Sequence, residues 1–381
     1  MATSPKADKP KTAKSRAGKP QAAKPAPAAK AAVVTSPRYC AAKFPSVRKF
    51  APGVEAGRAR LILQTADKWM NGTTLRYWFF DQPKKWTAPE DQKAVVRAAF
   101  RKWKELRIGL DFKEVKDKAE ADIRIAFDQT DGSWSYIGTD VRTARPDPRT
   151  MNFGWSLTAD PKEGMDTAIH EIGHTIGFPH EHQNPFAGIV WNEPAVYKSL
   201  AAPPNKWSKA TTYHNIIEKI MPDTVQGSSW DPDSVMHYPF EAGLIDKPVK
   251  YRTGLTPAGG LSARDRLWAL KFYPPIDSAA VSALKPFEST ALTLLPGQQA
   301  NFSFKPDATR EYEFRTFGTA DTVMALYDKA ASPSTPIAED DDSGTDRNAH
   351  FKAKLKAGRE YVLRVRLHYA KATGQTAAMA W

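Results

Sequence analysis

His170-Glu171-Ile172-Gly173-His174-Thr175-Ile176-Gly177-Phe178-Pro179-His180 is the stretch on which the reading of this 381-residue chain turns. Half of the chain's eight histidines (170, 174, 180 and 182) fall in it or within two residues of its end. His170 and His174 stand four apart, which on a helix puts both imidazoles on one face, about 6 Å apart along the axis. Two nitrogens so placed can meet one tetrahedral zinc ion at about 2.0–2.1 Å each. Glu171 follows the first histidine directly, so its carboxylate leans toward the open side of the metal, where a general base must sit. Gly177 can take the left-handed conformation that ends a helix and turns the chain sharply. That turn lets His180 fold back as a third ligand. Three protein ligands leave a fourth position free, as a catalytic site requires and a structural one does not.

These eleven residues, taken with Ser234-Val235-Met236-His237-Tyr238, resemble the metzincin peptidases with their Met-turn. Glu181 after the third histidine, and Tyr238 two places past Met236, are similar to the astacin family, and a bacterial-type branch of it fits best. The resemblance implies an α+β metzincin catalytic domain, a twisted mixed sheet plus a zinc helix. It implies Met236 as a hydrophobic floor under the metal. It also implies Tyr238 as a detachable fifth zinc ligand that hydrogen-bonds the tetrahedral intermediate. The resemblance covers roughly residues 73–275 and departs from the family twice. Gln183-Asn184-Pro185 stands where the family has an Arg and Asp pair, and a single cysteine excludes the family's disulfides. The departures leave the substrate pocket and the role of Glu181 open.

The implied activity is that of a zinc endopeptidase acting on protein or peptide substrates, with one catalytic Zn2+ and Glu171 as the general base. Two alternatives stand beside it. One is a zinc hydrolase of cell-wall peptides. The other is a binding or adhesion module with a structural metal, for which Tyr238 is the candidate fourth ligand.

The net charge of +13 raises nucleic acid or an anionic surface as a partner. Its placement decides the matter. Residues 1–30 hold eight Lys or Arg against one Asp, so +7 of the +13 sits in one arm rich in proline and alanine. No aromatic is interleaved there to stack bases. Residues 1–40 therefore read as a disordered, solvated basic arm that can contact polyanions. No apolar run approaches the length of a membrane span, and no apolar core of a secretory signal follows the charges. Export without a recognisable signal peptide, and residence in the cytoplasm, both stay open. The composition is that of a globular chain large enough for two domains, expected as a monomer.

Residues 41–72 read as a linker or pro-segment. Cys40, in Pro37-Arg38-Tyr39-Cys40 at its head, is the lone cysteine. A soft thiolate is a good zinc ligand, so Cys40 could occupy the open position and hold an enzyme latent. Its Pro-Arg context is similar to the cysteine switch of matrixins. A partly buried, unpaired thiol is the plain alternative.

Thr73–Phe80 reads as the first strand and Ala88–Leu106 as an amphipathic helix, with apolar residues at 95, 96, 99, 100, 103 and 106. Leu110–Val115 and Ala121–Phe127 read as strands. Trp134–Gly138 resembles the sheet-edge region of astacins, and Thr150–Trp155 is expected as the edge strand above the cleft, where free backbone groups would bind a peptide. The zinc helix is expected from Glu163 to Gly177, with further helices over Trp191–Ala201, Lys209–Met221 and Ala263–Phe272. The last is opened by the capping box Ser262-Ala263-Arg264-Asp265. His182, His214 and His237 are expected to be structural or solvent-facing.

From residue 276 the pattern changes to short runs alternating at period two, among them Gln299–Phe304, Tyr312–Thr316, Val323–Tyr327 and Tyr361–Leu367. That predicts a small all-β sandwich over 276–381. Its sequence resembles bacterial pre-peptidase C-terminal domains. Asp340, Asp341 and Asp342 would repel unless a cation intervenes, so they form either a Ca2+ site or a solvated acidic turn.

Overall fold

The computed structural model describes residues 37–43, 68–142, 147–220, 230–275, 281–331, 335–344, 347–369 and 372–381. Most of the basic arm expected at residues 1–40 lies outside these. Thr74–Phe79 forms strand β1, whose alternate residues Leu75, Tyr77 and Phe79 are buried. Glu90–Glu105 forms helix α1 and presents Val96, Ala99, Phe100 and Trp103 to the same core. Asp111–Glu114 (β2), Ile123–Ala126 (β3), Trp134–Ser135 (β4) and Met151–Asn152 (β5) complete a sheet ordered β2-β1-β3-β5-β4. The first four of these run parallel and β4 runs antiparallel to β5.

The sequence places the rim of the cleft on Thr150–Trp155. The structure corrects this: β5 lies between β3 and β4, and the edge strands of the sheet are β2 and, on the side of β5, β4. Met151, Asn152 and Phe153 are fully buried. The Asn152 amide donates to the carbonyls of Asp128 and Gly132 and accepts from the Asp128 N–H. A strand so enclosed cannot offer an edge. Strand composition alone does not distinguish it from its exposed neighbour.

Pro161–Thr175 forms α2, capped by the Asp160 carboxylate, which accepts from the N–H groups of Lys162 and Glu163. Its apolar stripe of Ala168, Ile169 and Ile172 packs on α1, where Trp103 Nε1 donates to the Ile169 carbonyl at 3.0 Å. Each large side chain buried in this layer contributes about 1.5–3 kcal/mol. Beyond the turn lie Val190–Trp191 (β6), Glu193–Ala201 (α3), Lys209–Thr212 (α4), Ile245–Lys247 (β7) and Ala263–Phe272 (α5). The helix expected over 209–221 is shorter, because a π-turn at Tyr213–Ile217 ends it.

The C-terminal part is a β-sandwich with its own core. Val281–Ala283 (β8), Gln299–Phe304 (β10), Thr322–Asp328 (β12), Ala338–Asp340 (β13) and Tyr361–Leu367 (β15) make one sheet. Thr290–Leu294 (β9), Arg310–Phe317 (β11), His350–Leu355 (β14) and Gly374–Ala380 (β16) make the other. Phe302, Phe304, Phe314, Met324, Leu363 and Val365 fill the space between them. The outer face of β12 and β15 packs on residues 68–73. Arg364 donates to the Gly72 carbonyl and Arg366 to the Met70 sulfur, while Gln299 and Asn71 exchange two hydrogen bonds.

Candidate active site

Helix α2 carries His170, Glu171 and His174 into the floor of the cleft, all buried. Gly177, at φ 97°, turns the chain out of the helix, and His180 comes back against the same face. The ring centroids of His170 and His174 are 4.7 Å apart, those of His174 and His180 4.5 Å, and those of His170 and His180 5.4 Å. Each Nδ1 points away from the centre toward an oxygen: His170 to Val235 O at 2.8 Å, His174 to Phe178 O at 2.7 Å, His180 to Gln183 Oε1 at 3.3 Å. Those acceptors fix the Nδ1–H tautomer, which leaves every Nε2 a lone pair directed inward.

The inward nitrogens fit a cation. His170 Nε2 is buried with no hydrogen-bond partner among the described residues, and the Nε2 atoms of His174 and His180 stand 3.0 Å apart. Lone pairs so opposed, away from water, are costly unless a positive charge lies between them. Burial holds all three imidazoles neutral, with pKa values below the ordinary 6.5. Neutral imidazole is the form that ligates a metal.

The ligating atoms of Cys40, His170, His174 and His180 lie within 4.8 Å of one another. Cys40 comes from residues 37–43, which cross the cleft, and its thiol donates to Glu171 Oε2 at 3.4 Å. Residues 37–40, assigned to the arm by composition, are thus seated in the site. Burial pushes the Glu171 carboxyl up to about 8, partly offset by the Cys40 hydrogen bond. A divalent cation alongside would pull it back down. Tyr238 approaches from the Met-turn, its hydroxyl 2.5 Å from the Cys40 carbonyl oxygen and 2.6 Å from His180 Nε2.

Comparison with known proteins gives this geometry a lineage. The model of the astacin peptidase family matches residues 62–199. Among solved structures the chain is similar to myroilysin, at 29% identity and a TM-score of 0.50, over 56% of this chain and 98% of that one. Residues 62–199 are thus similar to an astacin-like metzincin peptidase domain. Karilysin of Tannerella forsythia is 28% identical to this chain over 164 residues, which are 39% of this chain and 34% of the relative. Metalloendoproteinase 1-MMP of Arabidopsis thaliana is 28% identical over 144 residues, 29% of this chain and 39% of the relative. The chain thus spans little more than a third of either curated relative. The astacin match implies a catalytic zinc ion, and His170, His174 and His180 are the residues that would hold it.

The Met-turn sits directly beneath. Met236 packs against Gly173, where a Cβ would overlap the methionine sulfur. Glu181 donates its N–H to the Met236 carbonyl, and its carboxylate accepts from the Asp231 N–H and the Asn184 amide. Burial pushes Glu181 up to about 7. The role left open by the sequence is therefore a strut between the third histidine and the Met-turn. Gln183, one of the departures from the family pattern, supplies the acceptor that orients His180 and anchors its own amide on the carbonyls of His214 and Glu218.

Asp265 does more than its capping box predicts. Its carboxylate also accepts from the Ser234 hydroxyl and the Val235 N–H, so α5 holds the Met-turn from behind. Nothing in the spacing of residues 234 and 265 announces that contact. His237 bonds the Tyr238 carbonyl and His182 the Asn215 carbonyl, both buried. His214 pairs with Glu218 at 2.9 Å.

The acidic run of the sandwich does not assemble a cation site among the described residues. Asp340 is a turn cap: its oxygens accept from the Ser343 hydroxyl and from the N–H groups of Ser343 and His350. Asp341 lies 3.8 Å from the buried His368. The calcium expected at Asp340, Asp341 and Asp342 has no support in this geometry.

Proposed function

We propose that the protein is a zinc-dependent endopeptidase of the astacin-like metzincin kind and that residues 37–43 hold it latent, with the Cys40 thiol occupying the position a substrate needs. Zinc held by the three histidines supplies Lewis acidity that acidifies water and polarises a carbonyl. Everything else is done by the chain. Glu171, enclosed beside the open position, takes a proton from the attacking water and returns it to the leaving amine. Tyr238 donates its hydroxyl to the carbonyl oxygen of the bound peptide and strengthens that bond as charge develops there. The free edge of β4 holds the peptide's main chain.

One observation carries the reading: Tyr238 already donates to a peptide carbonyl, that of Cys40, beside the Glu171 carboxylate and the three inward nitrogens. A structural metal would be closed permanently by four ligands, and Cys40 with the histidines would make such a set. The two readings separate on whether the thiol is removable. The substrates are protein or peptide chains and the site of action is outside the cell, consistent with the class of the relatives. No helix among the described residues is long and apolar enough to cross a membrane.

The decisive variant is Glu171→Ala in a chain already carrying Cys40→Ser. It is expected to keep its zinc by metal analysis while hydrolysis of casein falls by about three orders of magnitude or more. Hydrolysis retained in that variant would remove Glu171 from the reaction.

A further inference from the structure

The segment that closes the cleft also shows what the cleft prefers. Resting on the endopeptidase reading, we infer that the site selects extended peptides with an apolar aromatic side chain, phenylalanine above tyrosine, one residue before the residue whose carbonyl Tyr238 receives. Polarity comes first. Ala41 N–H donates to Ser133 O at 3.0 Å, and Lys43 pairs with Asp131 at 3.8 Å. As the segment ascends from 41 to 43 its partners descend from 133 to 131, so it lies antiparallel to the chain that leads into β4, as an added strand would.

Register comes next. The Cys40 carbonyl is the one presented to Tyr238, which makes Tyr39 the residue before it. The main chain there is held without regard to side chain: Tyr39 N–H donates to Asn205 Oδ1 at 3.1 Å, and the Asn205 amide donates to the Pro37 carbonyl at 2.9 Å. What can discriminate is the pocket. Tyr39 is 3% exposed, with ring centroids 5.0 Å from Tyr238, 5.9 Å from Phe240 and 6.1 Å from Trp207. Its hydroxyl is buried with no hydrogen-bond partner among the described residues. The pocket therefore accepts the ring without hydrogen-bonding its oxygen, and burial with the nearby Glu241 carboxylate opposes ionisation of the hydroxyl, so a phenylalanine there avoids burying an unpaired hydroxyl.

The test uses the full-length zinc-loaded chain carrying Tyr39→Ala, Cys40→Ser and Glu171→Ala, so that its own segment competes weakly and bound peptides are not consumed. Blocked hexapeptides Pro-Arg-Xaa-Ser-Ala-Ala are titrated by calorimetry. Xaa = Phe is expected to bind about tenfold or more tighter than Xaa = Ala, with Tyr between them. Adding Trp207→Ala, or Phe240→Leu should the first variant not fold, should shrink the Phe-to-Ala ratio several-fold while leaving the Ala peptide's affinity in place. Equal binding of the Phe and Ala peptides would overturn the inference, as would a ratio untouched by both pocket variants. With Glu171 restored, a Phe peptide that binds tightly and is never cut would instead count against the endopeptidase reading.

Discussion

Gly173 shows how one missing side chain shapes a site. Alanine is the better helix former by about 1 kcal/mol, so helix propensity alone would favour replacing it. The Met236 sulfur fills the space a Cβ would need, with the Trp103 ring close behind, and overpacking of a filled core costs about 1–3 kcal/mol. The steric effect wins: Gly173→Ala should lower the unfolding free energy by about 1 kcal/mol. Denaturant titration reads it, and unchanged or raised stability would mean that the methionine yields freely. Asp128 gives a pH-dependent counterpart far from the histidines. Burial raises its pKa, but the hydroxyl and N–H of Thr130 and the ammonium of Lys85 outweigh it and hold the carboxyl at about 2 instead of 3.8. Trp86 Nε1 and the Arg149 guanidinium face the same carboxylate. A depressed folded-state pKa contributes stability above the unfolded value and loses it as pH falls through the folded one. Asp128→Asn should therefore be the less stable protein at neutral pH, with the difference shrinking as pH drops from 3.8 toward 2. A stability difference independent of pH would contradict it.

Among the elements, those with local signatures were legible and those defined by their neighbours were not. The zinc helix, its Gly177 turn, the amphipathic α1 and the capping box of α5 each follow from spacing within one turn or cap. The sandwich strands β10 and β15 stand at the boundaries that alternation predicts. The edge of the sheet was misplaced because edge position depends on which strand pairs on the far side, and β4 is only two residues long. The struts of the Met-turn, Glu181 and Asp265, could be seen as carboxylates but not assigned, since their partners lie 50 and 31 residues away. The segment 37–43 is the element with most at stake. Cys40 was readable as a possible ligand; the seating of Tyr39 in an aromatic pocket was not. The thiol is the part of this segment that reaches the three histidines, so removing it should loosen the segment's hold on the cleft. Cys40→Ser is expected to raise basal casein hydrolysis by about tenfold or more relative to the parent chain. No gain would mean that the thiol does not restrain the site.

At the scale of the whole molecule, the two cores meet chiefly on one strip of chain, with an ion pair between Arg142 and Glu339 beside it. Residues 68–73 lie between them: Trp69 Nε1 donates to the Thr175 carbonyl at the end of α2, while Met70, Asn71 and Gly72 receive the sandwich through Arg366, Gln299 and Arg364. Tyr273 adds a second tie to the same helix end, its hydroxyl donating to the Ile176 carbonyl at 2.6 Å. The sandwich is thereby mechanically continuous with the helix that carries His170, Glu171 and His174. Composition foresaw two domains but could not foresee that contact, because much of it runs through main-chain groups that any residues could supply. The claim on which all of this rests concerns one coordination sphere. It is tested most directly by the X-ray absorption spectrum of zinc in the full chain and in Cys40→Ser. The prediction is imidazole scattering in both, with a sulfur scatterer in the parent that disappears from the variant. Zinc without imidazole ligands, or sulfur persisting after the substitution, would contradict it.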